Sequence, residues 1–274
     1  MDSLSKVFVA DVAFHNVTME EAVTHIVQMA QKTEKPRHVC TGNLDHLAML
    51  EHDPEFRAIY QNSDLTLADG KPVVLLSRLA ATPTRPALKQ RVTGSDLFWE
   101  LARASEATGL SLFFLGGAPC AAELAKDAVL RRHPGAQVCG TYCPPFETFA
   151  APDEQARIRD VVRAAQPDIL LVGFGAPKQE KWIAANKDLL SVPVSIGVGG
   201  CFEMAGGVVK RAPSWMQDCG LEWAYRFSQE PTRLWHRYFV RDVPFLVKTV
   251  GRTLAERRTR DAKAMPCQDA ASGG

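Results

Sequence analysis

Short runs of β-branched and other apolar residues alternate along the chain with amphipathic helical stretches. Few folds accommodate this alternation, because a short apolar run suits a strand and an amphipathic helix can bury only one face. The run Ile-Leu-Leu-Val at 169–172 has no polar residue, which is typical of a strand buried on both faces of a parallel sheet. The predicted strands are Lys6–Val9, His38–Thr41, Leu65–Ala68, Ser111–Leu115, Gln137–Gly140, Asp168–Gly173 and Pro193–Val198. The sequence therefore predicts an α/β fold with a Rossmann-like, mostly parallel sheet and flanking helices.

Helix boundaries are marked by capping residues. Thr18 and Glu21 have the spacing of a capping box, which predicts a helix that continues to about Gln31. The segment Thr93-Gly-Ser-Asp96 opens another helix, and Gly109 ends it because glycine readily takes the left-handed conformation after a last helical turn. The remaining predicted helices of this region are Pro119–Arg132, Asp153–Gln166 and Pro177–Lys187.

The composition changes after about Gly207, where the chain becomes aromatic and basic. Residues 226–260 contain nine Arg or Lys against three acids, a charge of +6, whereas the whole chain has +1 and the rest therefore −5. A basic, aromatic segment on a mildly acidic body predicts an anionic surface as partner. We divide the chain into an α/β domain (1–206), a basic helical appendage (207–260) and a disordered tail (261–274). The predicted appendage helices are Pro213–Ser228, Pro231–Val240 and Val243–Arg258.

Several classes of protein are disfavoured by composition. A net charge of +1 gives no overall bias towards nucleic acid, and we expect no nucleic-acid partner. The seven cysteines are scattered without a Cys-x-x-Cys pair, which argues against a zinc site or disulfide framework and favours a reducing cytoplasm. The first residues do not have the pattern of a signal peptide, and no run approaches the ~18 apolar residues of a spanning helix. If this protein meets a membrane, we expect it to lie on the surface.

Five predicted strands end in loops of small or polar residues. In open α/β sheets such loops lie together at the carboxyl ends of the strands, where free helix N–H groups attract phosphate. The five together predict an anion-binding crevice. Neither a Gly-x-Gly-x-x-Gly fingerprint nor a Walker A loop is present, which disfavours a dinucleotide-linked dehydrogenase and a P-loop enzyme. The loops are Thr41–Asn43, Asp69–Pro72, Gly116–Gly117, Gly173–Gln179 and Gly197–Gly200.

Asp69 is the candidate for proton transfer, because it directly follows the apolar strand Leu65–Ala68. It could be a general base held at a strand end, or it could form a turn or cap a helix that begins near Pro72. Thr41 and Asn43 could likewise bind a sugar or phosphate, or cap the next helix. His46 follows them, and its role as ligand or structural hydrogen-bonding group stays open.

The chain lacks an Asp-x-Asp motif, the usual metal clamp for the diphosphate of a nucleotide sugar. We therefore predict no metal site and no cofactor. Any glycosyl transfer would need cationic side chains and helix ends to neutralise a departing diphosphate. Arg91 and the pair Lys178 and Gln179 are placed to do so.

Taken in order, these motifs resemble the WecG/TagA/CpsF family, glycosyltransferase family 26. The resemblance covers about residues 6–248, and the Ala-Pro-Lys-Gln-Glu-Lys-Trp block that ends at Trp182 is its most specific part. One departure is Asp45, where the family usually has Glu; this keeps the charge. The matching segments are Thr41–His46, Leu67–Gly70, Arg91–Asp96, Phe114–Gly117, Gly173–Trp182, Gly197–Gly200, Lys210–Trp215 and Leu221–Arg226.

The resemblance implies an inverting, metal-independent glycosyltransferase that moves a sugar from a UDP-sugar to a polyprenyl-diphosphate-linked saccharide, in exopolysaccharide, teichoic acid or surface-antigen synthesis. It makes residues 1–206 the catalytic domain and the appendage an active-site cover and membrane contact. It also implies a homo-oligomer that is peripheral on the inner face of the plasma membrane. By position in the family motifs, Asp69 is the general base, and the substrate-binding residues are Thr41, Asn43, Arg91, Gln179, Arg226, Arg233 and Arg237.

Two other functions stay open on the sequence. One is another Rossmann-type nucleotide enzyme that uses the same crevice. The other is a non-catalytic protein that binds nucleotide sugar or lipid and regulates polysaccharide assembly, although the presence of Asp69, Arg91 and Gln179 argues against a degenerate site. The sequence does not identify the transferred sugar; N-acetylmannosamine, its uronic acid, glucose and glucuronic acid are all compatible with the resemblance.

Overall fold

The computed structural model describes residues 4–32 and 35–264. Its core is a six-stranded sheet in the order β4-β3-β8-β7-β5-β6, in which every neighbouring pair is parallel. This confirms the predicted fold class. The strands are β1 Lys6–Val9, β2 Val12–His15, β3 Arg37–Gly42, β4 Leu65–Ala68, β5 Ser111–Gly116, β6 Gln137–Tyr142, β7 Ile169–Gly173 and β8 Val194–Gly197.

The first predicted strand lies outside this sheet. It forms a two-stranded antiparallel hairpin with β2, which the sequence analysis did not predict. The fully buried ring of Phe14 in β2 packs where a Cβ on Gly42 would come within 2.9 Å of it. The hairpin is therefore seated against the carboxyl end of β3, close to the loop that begins there.

Helices cover both faces of the sheet, as consecutive residues of β5 show. Leu112 and Phe114 pack into one hydrophobic cluster, whereas Phe113 and Leu115 pack into another on the opposite face. Burial on both sides explains why the central strands are almost entirely apolar. The helices of this region are α1 Met19–Gln31, α2 Leu44–Leu50, α3 Pro54–Gln61, α4 Lys71–Ala80, α5 Gly94–Thr108, α6 Ala121–Arg132, α7 Pro152–Ala165, α8 Lys178–Leu190 and α9 Cys201–Ala205.

The capping predictions are confirmed. Thr18 and Glu21 form the reciprocal capping box of α1. The Thr93 hydroxyl accepts a hydrogen bond from the Asp96 backbone N–H at 3.1 Å, and Gly109 ends α5 with φ +75°.

The appendage is helical, as predicted, but more interrupted. Gly220, at φ +78°, separates the first two of its helices, and a π-helical segment His236–Asp242 precedes the long last helix. That helix reaches four residues into the predicted tail, whose other residues, 265–274, lie outside the described part. None of the helices in the described residues is long and apolar enough to cross a membrane. The appendage helices are α10 Ser214–Cys219, α11 Glu222–Gln229, α12 Pro231–Trp235 and α13 Val243–Ala264.

One side chain of the appendage packs into the core of the α/β domain. Phe245 is almost completely buried and belongs to the cluster formed by the hairpin, α2, α3 and α4. The appendage is therefore packed on the side of the sheet edge that carries β4.

Candidate active site

Asp69 lies where β4 ends, with its backbone N–H donating to the Gly42 carbonyl at 2.8 Å. Its Oδ2 accepts a long hydrogen bond, 3.5 Å, from the Gly94 N–H at the start of α5. The cap of α4 is Gly70, whose φ is +111°, and no side chain caps that helix. The capping alternative for Asp69 is therefore wrong, and its carboxyl group faces α5 instead.

Burial raises the pKa of Asp69 to about 6. The Gly94 hydrogen bond opposes this shift, the charge of Glu222 adds to it, and the charges of Arg91 and Arg226 oppose it. The charges of two arginines and one acid therefore act on the Asp69 carboxyl group. A carboxyl group with this pKa can accept a proton near neutral pH.

Thr41 and Asn43 lie on the neighbouring strand end, and both use their side chains within the protein. The Thr41 hydroxyl donates to the Gly197 carbonyl at 2.8 Å, which ties β3 to β8. The Asn43 Oδ1 caps α2 by accepting from the His46 N–H at 3.1 Å, so capping is its role in this structure. A Cβ on Gly70 would lie 3.9 Å from the Asn43 Cβ, so the loops after β3 and β4 are adjacent.

Gln179 is almost completely buried at the start of α8. Its Oε1 accepts from the N–H groups of Gly175, at 3.1 Å, and Gly199, at 3.0 Å. Its Nε2 donates to Glu180 at 2.8 Å. Gln179 therefore joins the glycine loops that follow β7 and β8, and its side-chain oxygen and nitrogen both bond within the protein.

An ion-pair network joins α5 to the appendage beside Asp69. Arg91 lies 3.4 Å from Glu222 and 3.8 Å from Asp96, measured between nitrogen and oxygen. Arg211 approaches the same acids at 3.5 Å and 2.6 Å. Neither Arg211 nor Glu222 was predicted from the sequence to bind substrate, although both lie in segments that carried the family resemblance.

The three appendage arginines that were predicted to bind substrate have different surroundings. Arg226 follows Glu222 by one turn of α11, and its charge acts on Asp69. Arg233 is exposed and pairs with Glu230, the N-cap residue of its own helix. Arg237 lies 3.1 Å from Asp45 and 3.8 Å from Asp242. The structure thus brings Arg226 towards Asp69 and holds Arg237 against α2.

His46 is a structural residue in this protein. Its Nδ1 lies 2.6 Å from the Tyr60 hydroxyl in a buried contact. Burial, with the nearby Arg237 and Arg241 charges, lowers the pKa of His46 to about 3, so the ring is neutral at physiological pH. Over the ranges 4–32 and 35–264, no group of three or more His, Cys, Asp and Glu side chains could hold a metal ion. The six cysteines described there are free.

A partly buried carboxyl group of raised pKa at a strand end, on which the charges of two arginines act, is the chemistry of an α/β enzyme that handles an anionic substrate. The particular family follows from comparison with known proteins. Residues 7–259 match the family described as glycosyl transferase WecG/TagA/CpsF, and the chain belongs to that family. It is a glycosyltransferase.

Curated relatives agree with this assignment. The chain is 31% identical over 215 residues to a protein of Bacillus spizizenii, covering 78% of this chain and 79% of the relative. It is 26% identical over 260 residues to a protein of Staphylococcus aureus, covering 94% and 96%. Both relatives are named N-acetylglucosaminyldiphosphoundecaprenol N-acetyl-beta-D-mannosaminyltransferase.

Proposed function

We propose that this protein moves a sugar from a UDP-sugar to a polyprenyl-diphosphate-linked saccharide, with inversion and without a metal ion. The observation that carries the proposal is the Asp69 carboxyl group, whose burial raises its pKa to about 6 beside Arg91 and Arg226. The relatives' names make N-acetylmannosamine the first donor sugar to test, and N-acetylglucosamine on a lipid diphosphate the first acceptor.

In this mechanism Asp69 takes the proton from the acceptor hydroxyl as its oxygen bonds to the anomeric carbon. The bond from that carbon to the UDP oxygen breaks on the opposite face, and UDP departs with the electron pair. Because attack and departure occur on opposite faces, one displacement inverts the anomeric configuration. Preorganised guanidinium groups can stabilise the negative charge that develops on the leaving diphosphate.

The testing experiment is a screen of UDP-sugars against a short-chain polyprenyl-diphosphate N-acetylglucosamine, with UDP release and product mass as readouts. We expect one donor to give product with inverted configuration, at the same rate with and without EDTA. Failure of every donor would contradict the proposal, and rescue of chelated enzyme by Mg²⁺ or Mn²⁺ would contradict its metal-independent part.

We also propose that the appendage rests on the anionic inner face of the plasma membrane. Four apolar side chains recur every four residues through α12, the π-helical segment and α13, and each is substantially exposed: Trp235 (57%), Phe239 (39%), Val243 (45%) and Val247 (67%). We call these four residues the apolar stripe. Basic residues follow it in α13, and such residues attract an anionic leaflet. A homo-oligomer stays a prediction.

A further inference from the structure

We propose that Arg211, together with Arg91, binds the diphosphate group of a substrate, and that Glu222 lies where this group would bind. The inference rests on the proposed function, in which both substrates carry a diphosphate. It goes beyond that function by assigning a binding residue outside the predicted set and an internal competitor for the same arginines.

The hydrogen bonding of Arg211 is incomplete. Its Nη1 donates to Asp96 at 2.6 Å, but its Nε and Nη2 are buried and have no hydrogen-bond partner among the described residues. A guanidinium group offers five N–H donors in a planar fork that matches the oxygens of phosphate. Because buried unpaired donors are unfavourable, Arg211 has donors available that a phosphate oxygen would satisfy.

Glu222 holds the two arginines loosely. Its Oε2 is 3.4 Å from Arg91 Nη1, and its Oε1 is 3.5 Å from Arg211 Nε. Charge-assisted hydrogen bonds are usually about 2.7–2.9 Å, so neither contact has the geometry of a tight pair. One anionic group between two guanidinium groups is also the arrangement in which a phosphate would bind, and phosphate has more oxygens and more charge to offer.

The position of this cluster fits a role beside the reacting atoms. Asp96 is in the first turn of α5, where the helix dipole favours anions. The Gly94 N–H of the same turn reaches Asp69. Arg226, one turn after Glu222, adds a third positive charge that acts on Asp69. A diphosphate bound by Arg91 and Arg211 would therefore lie next to the general base.

The competing explanation is that the network only fastens the appendage to α5. The two explanations predict opposite effects for Glu222→Gln, which keeps the size of the side chain and removes its charge. If Glu222 competes with a diphosphate, the variant binds diphosphates more tightly. If Glu222 only holds the arginines in place, the variant binds them more weakly.

The experiment measures binding of inorganic pyrophosphate, UDP and geranyl diphosphate to the full-length protein by calorimetry. We expect Arg211→Ala to weaken pyrophosphate binding at least tenfold and Glu222→Gln to strengthen it several-fold. Arg211→Lys should recover only part of the loss, because lysine lacks the fork. The matched control is Arg103→Ala, on the exposed side of α5, where Arg103 pairs with Glu100; it should bind as the wild type does. Melting temperatures identify any variant that has lost its fold.

The outcomes distinguish whether Arg211 binds the diphosphate of the sugar donor or that of the lipid acceptor. If Arg211→Ala loses binding of UDP alone, the result supports diphosphate binding by Arg211 and assigns it to the donor. If it loses binding of geranyl diphosphate alone, the result supports the inference and assigns it to the lipid acceptor. Unchanged binding in folded Arg211→Ala, or weakened binding in Glu222→Gln, overturns the inference. If the protein binds diphosphate through Arg211 but transfers no sugar, the proposed function is refuted, whereas the inference that Arg211 binds a diphosphate stands.

Discussion

The pKa of about 6 at Asp69 leads to a pH dependence, because a general base works only when it is ionised. Below this pKa the carboxyl group is protonated, so kcat/KM should fall about tenfold for each pH unit. Above it the rate should reach a plateau. A pH–rate profile under donor-limiting conditions measures this limb.

Replacing Asp69 should lower turnover strongly and should also abolish the fall of kcat/KM at acidic pH. We expect Asp69→Asn to lower turnover by roughly two to four decades, the usual scale of acid–base catalysis, with little change in donor binding. The matched control is Asp160→Asn, the same chemical change on an exposed part of α7. Turnover near the wild-type level in Asp69→Asn would exclude this residue from the proton transfer.

Glu180 allows a separate test through stability. It is fully buried, Oε2 has no hydrogen-bond partner among the described residues, and burial raises its pKa to about 7. Between its ordinary pKa near 4.5 and about 7, the folded protein keeps this proton and the unfolded chain loses it. Glu180 therefore lowers the free energy of unfolding as pH rises through this window, by at most about 1.4 kcal/mol per unit.

Glu180→Gln should lack this contribution. Its free energy of unfolding, relative to the wild type, should increase from pH 4.5 to 7 and stay level outside that window, as measured by urea denaturation. Buried histidines such as His38 contribute with the opposite sign, since burial lowers the pKa of His38 to about 4, but they are present in both proteins and cancel in the difference. Parallel pH curves for the two proteins would show that the Glu180 carboxyl group is not protonated in the fold.

At the scale of elements, Gln179 joins two loops that the sequence could only suggest were neighbours. Gln179→Ala removes the shared acceptor of Gly175 and Gly199, and we expect it to lower the free energy of unfolding by about 2 kcal/mol. The control is Gln137→Ala, because exposed Gln137 uses its side-chain nitrogen in one local bond to Gly135. Equal stability of the two variants would contradict a structural role for the Gln179 side chain.

The sequence predicted those elements whose signals are local. The predictions of a capping box at Thr18 and of the end of α5 at Gly109 were confirmed, because each feature depends on residues within one helical turn. Strand β2 was missed because it is held by contacts that are distant in sequence or depend on its partner: it pairs with β1, and its Phe14 packs against Gly42. The same limit applies to the site: its strand-end loops could be predicted, whereas the Arg211–Glu222 contact depends on where the appendage packs.

At the scale of the whole molecule, charged contacts hold the appendage against the α/β domain. Arg237 and Arg241 both pair with the buried Asp45 of α2, far away in sequence. Asp242 lies beside them, and burial together with the Asp45 charge raises its pKa to about 7. These contacts join the segment that carries the apolar stripe to α2, the helix that Asn43 caps, and so tie the proposed membrane contact to an element that begins at the candidate site.

The last prediction tests whether the apolar stripe is the membrane contact. Val247→Asp should lower binding to anionic vesicles at least tenfold, because it places a negative charge on the most exposed residue of the apolar stripe, where it costs desolvation and repels the anionic leaflet. Leu189→Asp is the matched control, since Leu189 is similarly exposed but lies on α8, away from the appendage. Flotation with vesicles, at low and high salt, measures binding, and attachment of the wild type should weaken as salt rises. Transfer to a water-soluble acceptor analogue should stay normal in both variants, because neither Val247 nor Leu189 is among the residues proposed to bind substrate. Unchanged flotation of Val247→Asp, or an equal loss in Leu189→Asp, would place the membrane contact elsewhere on the protein.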